Sequence, residues 1–344
     1  MRFEGKDVLV VIPCLNEERT IAGVLDRLLS DDQEERCFVV VSDGGSADLT
    51  RPIVRRYEEQ WPGRVALLDN PGRYQSAATN IAVERFGEDF RWLVRLDAHS
   101  VYPKNYISRL IRAALERGAD SVVVPMATVG SGCLQLGIAA AQNSRFGTGG
   151  AAHRHPGRSR WVEHGHHALF DLTKFRQVGG YDATYTHNED AELDHRLVKA
   201  GAKIWLQGDL QISYIPRRDL GALFKQYFAY GRGRARTVMR HRAPLRVRQM
   251  LPLLVPVAVL MALAAPWFPL AALPAAVWLT ACALIGLSIG VRRRSVCAMS
   301  SAAALVVMHL AWGLGFQVQV LTRRPDVLKG LAPDPAGQPV RTEV

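Results

Sequence analysis

The sequence predicts an α/β fold with a mostly parallel, Rossmann-like sheet, followed by transmembrane helices. Over the first 125 residues, short apolar runs rich in β-branched residues alternate with amphipathic stretches. Residues 251–290 contain no charged side chain and are long enough for two membrane spans. A hydrophobic content of 48% in 344 residues supplies a large core, which excludes a disordered chain.

The apolar runs predict five strands in the first part of the chain. These strands cover residues 8–12, 38–42, 65–68, 92–96 and 121–124. Between the first two, residues 18–29 predict a helix with Ile21, Val24 and Leu28 on one face. Because strand, helix and strand repeat in this order, we expect parallel strands with helices on both sides of the sheet.

Polar side chains follow four of these strands, at the edge of the sheet where ligands bind in such folds. They are Asn16 and Glu17, Asp43, Asp69 and Asn70, and Asp97 and His99. A single acid at a strand end is equally well explained by capping of the next helix, but several together predict a binding site. No GxGxxG follows the first strand and no GxxxxGKS or GxxxxGKT occurs, which argues against a dinucleotide oxidoreductase and a P-loop enzyme.

The cysteines and the first residues give an expectation about the compartment. The 5 cysteines are odd in number and form no CxxC pair, so they indicate neither a disulfide framework nor a thiolate zinc site. No basic region followed by a long apolar run begins the chain, so no cleavable signal is predicted. A reducing, cytosol-facing compartment fits both observations.

A basic segment directly precedes the uncharged stretch. Residues 217–248 contain ten Lys or Arg against the single acid Asp219, within a net charge of +11. The positive-inside rule places this segment in the cytoplasm, together with the arginines at 292–294. We therefore expect two spans within 251–290 with a turn at 266–269, and an inner-membrane protein whose catalytic domain lies in the cytoplasm.

The last apolar segment, residues 296–321, is long enough to span but is followed by Arg323 and Arg324. It either crosses against the positive-inside rule, re-enters the membrane or lies in the interface. Residues 323–344 are polar and predict a flexible tail. The predicted organisation is a catalytic domain at 1–245, a membrane domain of two or three helices at 246–322, and the tail.

Six motifs follow one another in a specific order between residues 8 and 236. They are VVIPCLNEERTI, VVSDGGSADLT, NPGRYQSAATNIA, VRLDAH, VGGYDATYTHNEDAEL and QYFAYGRGRART. On these motifs the chain resembles the family 2 glycosyltransferases of the GT-A fold, and with EHGHHALF it looks most like succinoglycan biosynthesis transferases of the ExoA type. The resemblance implies an inverting hexosyltransferase that adds glucose from UDP-glucose to a lipid-linked saccharide in exopolysaccharide biosynthesis.

The resemblance also implies where a nucleotide sugar binds. The residues assigned to it are Pro13, Asn16, Glu17, Asp43, Gly44, Arg73, Asp97, Arg232 and Arg234. In this assignment Asp43 accepts hydrogen bonds from the uracil or the ribose, while the glycine after it lets the chain turn closely. The alternative for this segment is a plain strand-to-helix turn.

A divalent cation, Mn²⁺ or Mg²⁺, is implied at Asp97-Ala98-His99, the place of the family's DxD motif. Asp97 and His99 would be its ligands, and the departure to His favours Mn²⁺ because imidazole is the softer donor. Alternatively, His99 donates to a phosphate and Asp97 alone holds the ion. The HxHH segment lacks the partnered acid of a zinc site. We therefore expect its histidines, His164, His166 and His167, to contact the acceptor or the diphosphate, or simply to pack in the fold.

The NED segment at 188–190 carries the implied catalytic residues, Asp190 and Glu189. Asp190 would be the general base that takes the proton of the acceptor hydroxyl, and Glu189 would orient either the base or the acceptor. Single displacement then inverts the anomeric carbon. Since the segment precedes a predicted helix, the alternative is that Asp190 only caps that helix.

The basic segment and the overall function each have a competing interpretation. Arg232, Arg234 and Arg236 bind either diphosphate oxygens or lipid headgroups, and the intervening glycines favour close approach to a ligand. One rival function is a polyprenyl-phosphate sugar transferase, which accepts a bare lipid phosphate. The other is a non-catalytic basic membrane adaptor; the intact acids argue against it, and the adjoining apolar stretch argues against nucleic acid as a partner.

Overall fold

The computed structural model describes residues 7–30, 37–151, 154, 157–245 and 247–322, so the predicted tail at 323–344 and the arginines that begin it lie outside the described residues. The strands are β1 (Val8–Cys14), β2 (Cys37–Asp43), β3 (Val65–Asp69), β4 (Trp92–Arg95), β5 (Ser121–Val124), β6 (Met126–Thr128), β7 (Arg160–Val162), β8 (His166–Asp171), β9 (Ile204–Leu206) and β10 (Ile212–Tyr214). The helices are α1 (Ile21–Leu29), α2 (Thr50–Gln60), α3 (Gln75–Phe86), α4 (Tyr106–Arg117), α5 (Cys133–Gln142), α6 (Arg145–Thr148), α7 (Leu172–Gln177), α8 (Glu189–Lys199), α9 (Leu220–His241), α10 (Val247–Ala262), α11 (Leu273–Arg292), α12 (Val296–Met299) and α13 (Ser301–Leu321).

The main sheet confirms the predicted fold class. Within the described residues it has eight strands in the order β3-β2-β1-β4-β8-β5-β9-β7. β1 pairs in parallel with β2 and β4, and β2 pairs in parallel with β3, whereas β8 runs antiparallel between β4 and β5. All five predicted strands are present, and β6 and β10 form a second, two-stranded sheet.

The central strand β1 is buried on both faces, as expected for a parallel sheet covered by helices. Val8, Val10 and Ile12 belong to one apolar cluster, which includes residues of α1 and α4. Leu9 and Val11 belong to another, which includes residues of α3, α7 and α8. Since each fully buried side chain of this size contributes roughly 1.5 to 3 kcal/mol, the strands are held rigidly and the loops at their carboxyl ends are well positioned.

The carboxyl-terminal helices differ from the predicted hairpin. Two helices of the described chain are long and apolar enough to cross a membrane, Pro269–Arg292 and Val296–Leu321. The helix expected to be the first span, α10, has only 16 residues and contains Pro252 and Pro256. It falls short of the roughly 20 residues that a bilayer requires. The second helix that is long enough to span is instead Val296–Leu321, the segment whose placement the sequence left open.

Helix α13 lies against the α/β domain, and glycines permit this close contact. A Cβ on Gly231 of α9 would lie 2.1 Å from the carbonyl oxygen of Trp312, and one on Gly315 would lie 2.1 Å from that of Phe228. Gly233, the other glycine of YGRGR, is similarly close to the carbonyl oxygen of His187. The expectation that these glycines admit a ligand is therefore wrong, because their space is filled by other parts of the chain.

Cys133 of α5 and Cys297 of α12 form a disulfide across 164 residues of sequence, while Cys14, Cys37 and Cys282 are free and buried. The sequence, which indicated no disulfide framework, did not predict this bridge. An odd count and the absence of CxxC argue against a framework, but they say nothing about a single long-range pair. The cysteines therefore give no support to a reducing compartment, and the basic segment alone carries the cytoplasmic prediction.

Candidate active site

The loops after β1 and β2 are joined by hydrogen bonds. Asn16, which has a positive φ of 57°, donates its N–H to Ser46 Oγ at 2.8 Å and accepts from the Ala47 N–H at 2.9 Å through its side chain. Glu17 donates its N–H to Thr50 Oγ1 at 2.8 Å. These bonds fix two of the predicted nucleotide-sugar residues against the second loop.

Asp43 is buried at the end of β2 and is held by its own turn. It accepts hydrogen bonds from the N–H groups of Gly45 and Ser46 at 3.1 Å and from Arg51 Nη1 at 2.8 Å, and Arg51 also contacts Asp69. Burial by itself would raise the pKa of Asp43, but the hydrogen bonds from Ser46 and Arg51 lower it below its ordinary value. The carboxylate therefore stays anionic and shapes the turn.

Gly44 is closely packed in this turn. Its N–H donates to the carbonyl oxygen of Cys14 at 2.8 Å, and a Cβ would lie 3.2 Å from the carbonyl oxygen of Arg73. The turn therefore brings the loop that contains Arg73, itself at a φ of 62°, against the end of β1. Pro13 lies within β1, opposite Ser42 of β2.

Asp97 and His99 follow β4 and lie close to Glu17. His99 Nδ1 and Glu17 Oε1 are 2.9 Å apart, and the Asp97 N–H donates to the Tyr102 hydroxyl at 2.7 Å. The hydrogen bond to Glu17 raises the pKa of His99. With Nδ1 turned to this carboxylate, Nε2 is the ring nitrogen that can bind an ion, an arrangement common among histidine ligands.

The donor set fits a divalent cation that takes some of its ligands from a substrate. One carboxylate and one imidazole suit Mn²⁺ or Mg²⁺ incompletely by themselves. In the described part of the chain, no group of three or more His, Cys, Asp or Glu side chains is arranged to hold a metal ion. Phosphate oxygens of a nucleotide sugar, together with water, are the ligands that would complete such a site.

Asp190 is held by three side chains from other parts of the fold. It accepts hydrogen bonds from His166 Nδ1 at 2.8 Å, the Tyr181 hydroxyl at 2.9 Å and Arg95 Nη2 at 3.2 Å. Burial opposes its charge, but Arg95 and His166 hold the pKa of Asp190 well below its ordinary range. These contacts come from other elements and do not belong to helix capping.

Glu189 lies beside Asp190 but in a different environment. Its carboxylate is 3.8 Å from Arg95 Nη1, and its side chain is 13% exposed. Burial, followed by repulsion from Asp190, raises the pKa of Glu189 to about 7, against the opposing effect of Arg95. In this pair the negative charge is favoured on Asp190 and disfavoured on Glu189.

The histidines of EHGHHALF support helix α8. Besides the contact of His166 with Asp190, His164 Nδ1 lies 2.7 Å from Asp194 Oδ2, one turn further along the helix. The Gly165 N–H donates to the same oxygen of Asp194 at 3.1 Å. The side chain of His167 lies outside the described part of the chain.

A cavity of about 1640 Å³ opens from these groups toward the carboxyl-terminal helices. Its polar lining includes Glu17, Asp97, His99, Glu189 and Asp190. Its apolar lining includes residues of α10, α11 and α13, namely Leu254, Val255, Val277, Ala281 and Trp312. The polar carboxylates and the apolar helices therefore share one continuous space.

The comparisons with known proteins identify the chain. The model of the family described as "Glycosyl transferase family 2" matches residues 9–179. The succinoglycan biosynthesis protein ExoA of Rhizobium meliloti (strain 1021) is 47% identical over 316 residues, which cover 92% of this chain and 96% of that protein. This chain belongs to glycosyl transferase family 2. It is a glycosyltransferase, and the resemblance on the six motifs is confirmed.

More distant relatives agree with this glycosyltransferase assignment. An undecaprenyl-phosphate 4-deoxy-4-formamido-L-arabinose transferase of Photorhabdus laumondii is 31% identical over 126 residues, 36% of this chain and 38% of that protein. Among solved structures, the mannosyltransferase PcManGT of Pyrobaculum calidifontis, in complex with GDP-Man and Mn²⁺, has a TM-score of 0.58 at 18% identity. That similarity covers 94% of this chain and 90% of PcManGT, and it confirms the GT-A fold.

Of the predicted nucleotide-sugar residues, only Glu17 and Asp97 line the cavity. Asp43, Gly44 and Arg73 lie in the neighbouring loops and are not among its lining residues. Arg232 Nε donates to Gln319 Oε1 of α13 at 3.0 Å, and Arg234 donates to Gln249 of α10 at 3.3 Å. The structure therefore directs both arginines to the carboxyl-terminal helices, and it does not support their prediction as diphosphate ligands.

Sequence reasoning missed three contributors to this site, Arg95, Tyr181 and Asp194. A signal existed for Arg95, because a charged residue within the otherwise apolar strand β4 must be paired to be tolerated. Its side chain is indeed buried and also donates to Gln75 Oε1 at 2.9 Å. No local pattern identified Tyr181 or Asp194, since their partners lie on other elements.

Proposed function

We propose that this glycosyltransferase moves a hexose, with UDP-glucose as the expected donor, onto a hydroxyl of a lipid-linked saccharide in exopolysaccharide biosynthesis. The observation that carries the proposal is the single cavity shared by Asp97, Asp190 and the apolar helices. An acceptor with a saccharide at one end and a lipid at the other matches a cavity that is polar at one end and apolar at the other. The 47% identity to a succinoglycan biosynthesis protein supports the pathway class.

The donor end is assigned to the carboxyl edge of β1, β2 and β4. Asn16 and Asp43 hold the loops after β1 and β2 in place, Glu17 lines the cavity, and Asp97 and His99 would hold a divalent cation. When bound, that cation neutralises the diphosphate and makes it a better leaving group. Glu17 orients His99 by its 2.9 Å contact with Nδ1.

Asp190 is proposed as the general base. Its carboxylate is ionised, and Arg95, His166 and Tyr181 fix its direction, so that it can take the proton of an acceptor hydroxyl without first losing one. The hydroxyl oxygen attacks the anomeric carbon opposite the departing diphosphate, which inverts the configuration. Glu189, which lines the same cavity, is placed to hydrogen-bond the acceptor.

The membrane location is proposed from the carboxyl-terminal helices and the basic segment. The long apolar helices Pro269–Arg292 and Val296–Leu321 would anchor the enzyme. The excess of Lys and Arg at 217–248 supports a catalytic domain on the cytoplasmic side of the inner membrane. Membership of a family of transferases, with Asp97 and Asp190 in one cavity, removes the support for a non-catalytic adaptor.

The experiment is a panel of nucleoside diphosphate sugars, assayed with membranes that contain the enzyme and a lipid-linked saccharide. We expect one donor to release its nucleoside diphosphate only when acceptor and Mn²⁺ or Mg²⁺ are both present, and a chelator to abolish this release. Mn²⁺ should support the reaction at least as well as Mg²⁺ because of His99. Transfer to a bare polyprenyl phosphate, with no transfer to the saccharide, would establish the rival function instead.

A further inference from the structure

A second polar cluster lines the cavity, and the chemistry described above does not use it. It consists of Arg154, Tyr214 of β10, and Gln226 and Tyr230 of α9. We call it the tyrosine-arginine cluster. Buried polar groups need partners, so the unfulfilled bonding capacity of buried groups that line a cavity indicates what the cavity binds.

Arg154 is a buried cation whose described contacts carry no negative charge. It is only 8% exposed. Its Nη1 donates to Thr128 Oγ1 at 3.0 Å, and its guanidinium carbon lies 5.9 Å from the centre of the Tyr214 ring. A buried guanidinium held by a hydroxyl and an aromatic ring is stabilised far more by an anion, and phosphate matches its fork of donors.

Gln226 is hydrogen-bonded to both tyrosines of the cluster. Its Nε2 donates to the Tyr214 hydroxyl at 2.9 Å and to the Tyr230 hydroxyl at 3.0 Å. Since each hydroxyl oxygen accepts this bond, its proton is available for another acceptor. Gln226 is 7% exposed, and its buried Oε1 has no hydrogen-bond partner among the described residues, so it requires a donor.

We infer that the tyrosine-arginine cluster is the subsite for a phosphate ester of a sugar, the phosphate-linked end of the acceptor. The phosphate oxygens accept from Arg154 and from the two tyrosine hydroxyls, and a sugar hydroxyl donates to Gln226 Oε1. This inference rests on the proposed function. It adds the point at which the acceptor is held between its saccharide and its lipid.

The position of the cluster selects the acceptor phosphate over the donor diphosphate. Tyr230 packs in the apolar cluster that includes Ile285 of α11 and Leu305 of α13. Asp97 and His99, at the donor end of the same cavity, follow β4 of the main sheet. A phosphate at the tyrosine-arginine cluster therefore has apolar helices beside it, where a lipid tail can lie.

The test compares two probes, farnesyl phosphate for the acceptor end and UDP for the donor end. Binding of each is measured by calorimetry with the full-length enzyme in neutral detergent micelles. We expect Arg154→Gln to weaken farnesyl phosphate roughly tenfold or more, and Tyr214→Phe and Tyr230→Phe to weaken it about threefold to tenfold each, because charge-assisted bonds are the stronger ones. UDP should bind all variants as it binds the parent.

Matched controls are Arg109→Gln and Tyr57→Phe, which remove an Arg–Asp209 contact and a Tyr–Asp26 contact between residues that do not line the cavity. Both should bind farnesyl phosphate like the parent.

If Arg154→Gln fails to fold, the two tyrosine variants, which lose only a hydroxyl, test the inference. Unchanged farnesyl phosphate binding in both would overturn the inference, and so would weaker UDP binding with farnesyl phosphate unaffected. Farnesyl phosphate binding that depends on the cluster, in an enzyme that consumes no donor, would refute the proposed function alone.

Discussion

The two ends of the cavity are built by different physical means. At the polar end, hydrogen bonds from strands β4 and β8 hold Asp190 in one position. At the other end, α10, α11 and α13 supply mostly apolar side chains to the lining. This difference indicates that the exact position of side chains matters at the end where bonds change. At the end where a lipid is held, the volume of the cavity matters instead. Substitutions at the two ends should therefore affect different kinetic quantities.

The largest effect is expected at the polar end. Asp190→Asn should lower turnover by about 10² or more and leave donor binding intact, because it removes the proton acceptor but few contacts. The measurement is kcat with saturating acceptor. Asp194→Asn, one helical turn away and in contact with His164, is the matched control and should lose far less. Equal losses in the two variants would contradict the role of Asp190.

At the apolar end, Ala281→Trp should raise the KM for a lipid-linked acceptor about tenfold, because it fills space needed by the lipid. Turnover at saturating acceptor should remain near that of the parent. Leu284→Trp is the control, since Leu284 lies on the same helix, is 61% exposed and does not line the cavity. A fall in kcat without a change in KM would show that this end also positions the reacting groups.

The polar end should also impose a pH dependence on stability. The pKa of Glu189 is raised from 4.5 to about 7, so its neutral form is favoured by folding. The corresponding stability is fully present below about pH 4.5 and is lost as the pH rises through about 7. Relative to Glu189→Gln, the parent should therefore lose Tm between pH 5 and pH 8, measured by thermal unfolding in detergent. The exposed Glu84→Gln variant should follow the parent, and a constant difference between parent and Glu189→Gln would refute the shift.

The smallest effect is expected outside both ends. Arg232→Gln with Arg234→Gln should keep turnover within about twofold in micelles without anionic lipid, because these side chains contact Gln319 and Gln249 and do not line the cavity. The measurement is the ratio of rates for parent and double variant. A loss of tenfold or more would restore the diphosphate role that the sequence suggested.

The sequence predicted the sheet and its polar edge because both depend on local pattern. Alternating apolar runs locate β1 to β5, and the ends of parallel strands bring Glu17 and Asp97 to one cavity. The cage around Asp190 could not be predicted, because His166 and Arg95 are distant in sequence. Their approach depends on β8 entering the sheet antiparallel to β4, which no periodicity reveals.

The glycines of YGRGR illustrate a different limit of sequence reasoning. A glycine admits a ligand or a neighbouring helix equally well, since in both cases the requirement is the absence of a Cβ. Only the position of Trp312 shows which partner occupies the space beside Gly231. The disulfide between Cys133 and Cys297 was hidden for the same reason, because its partners meet only after the terminal helices pack against the domain.

The contact between α9 and α13 has a consequence for how the chain can be divided. Residue 245 is the natural place to cut if the catalytic part is wanted by itself, but α13 contributes Trp312 and Phe316 to the surface that covers α9. Removing it would leave the aromatic face of α9 and the backbone around Gly231 open to water. Helix α13 is thus apolar enough to cross a membrane and also covers one face of α9. A catalytic fragment that lacks α13 should therefore aggregate, whereas in the intact chain α13 shields the aromatic face of α9 from water.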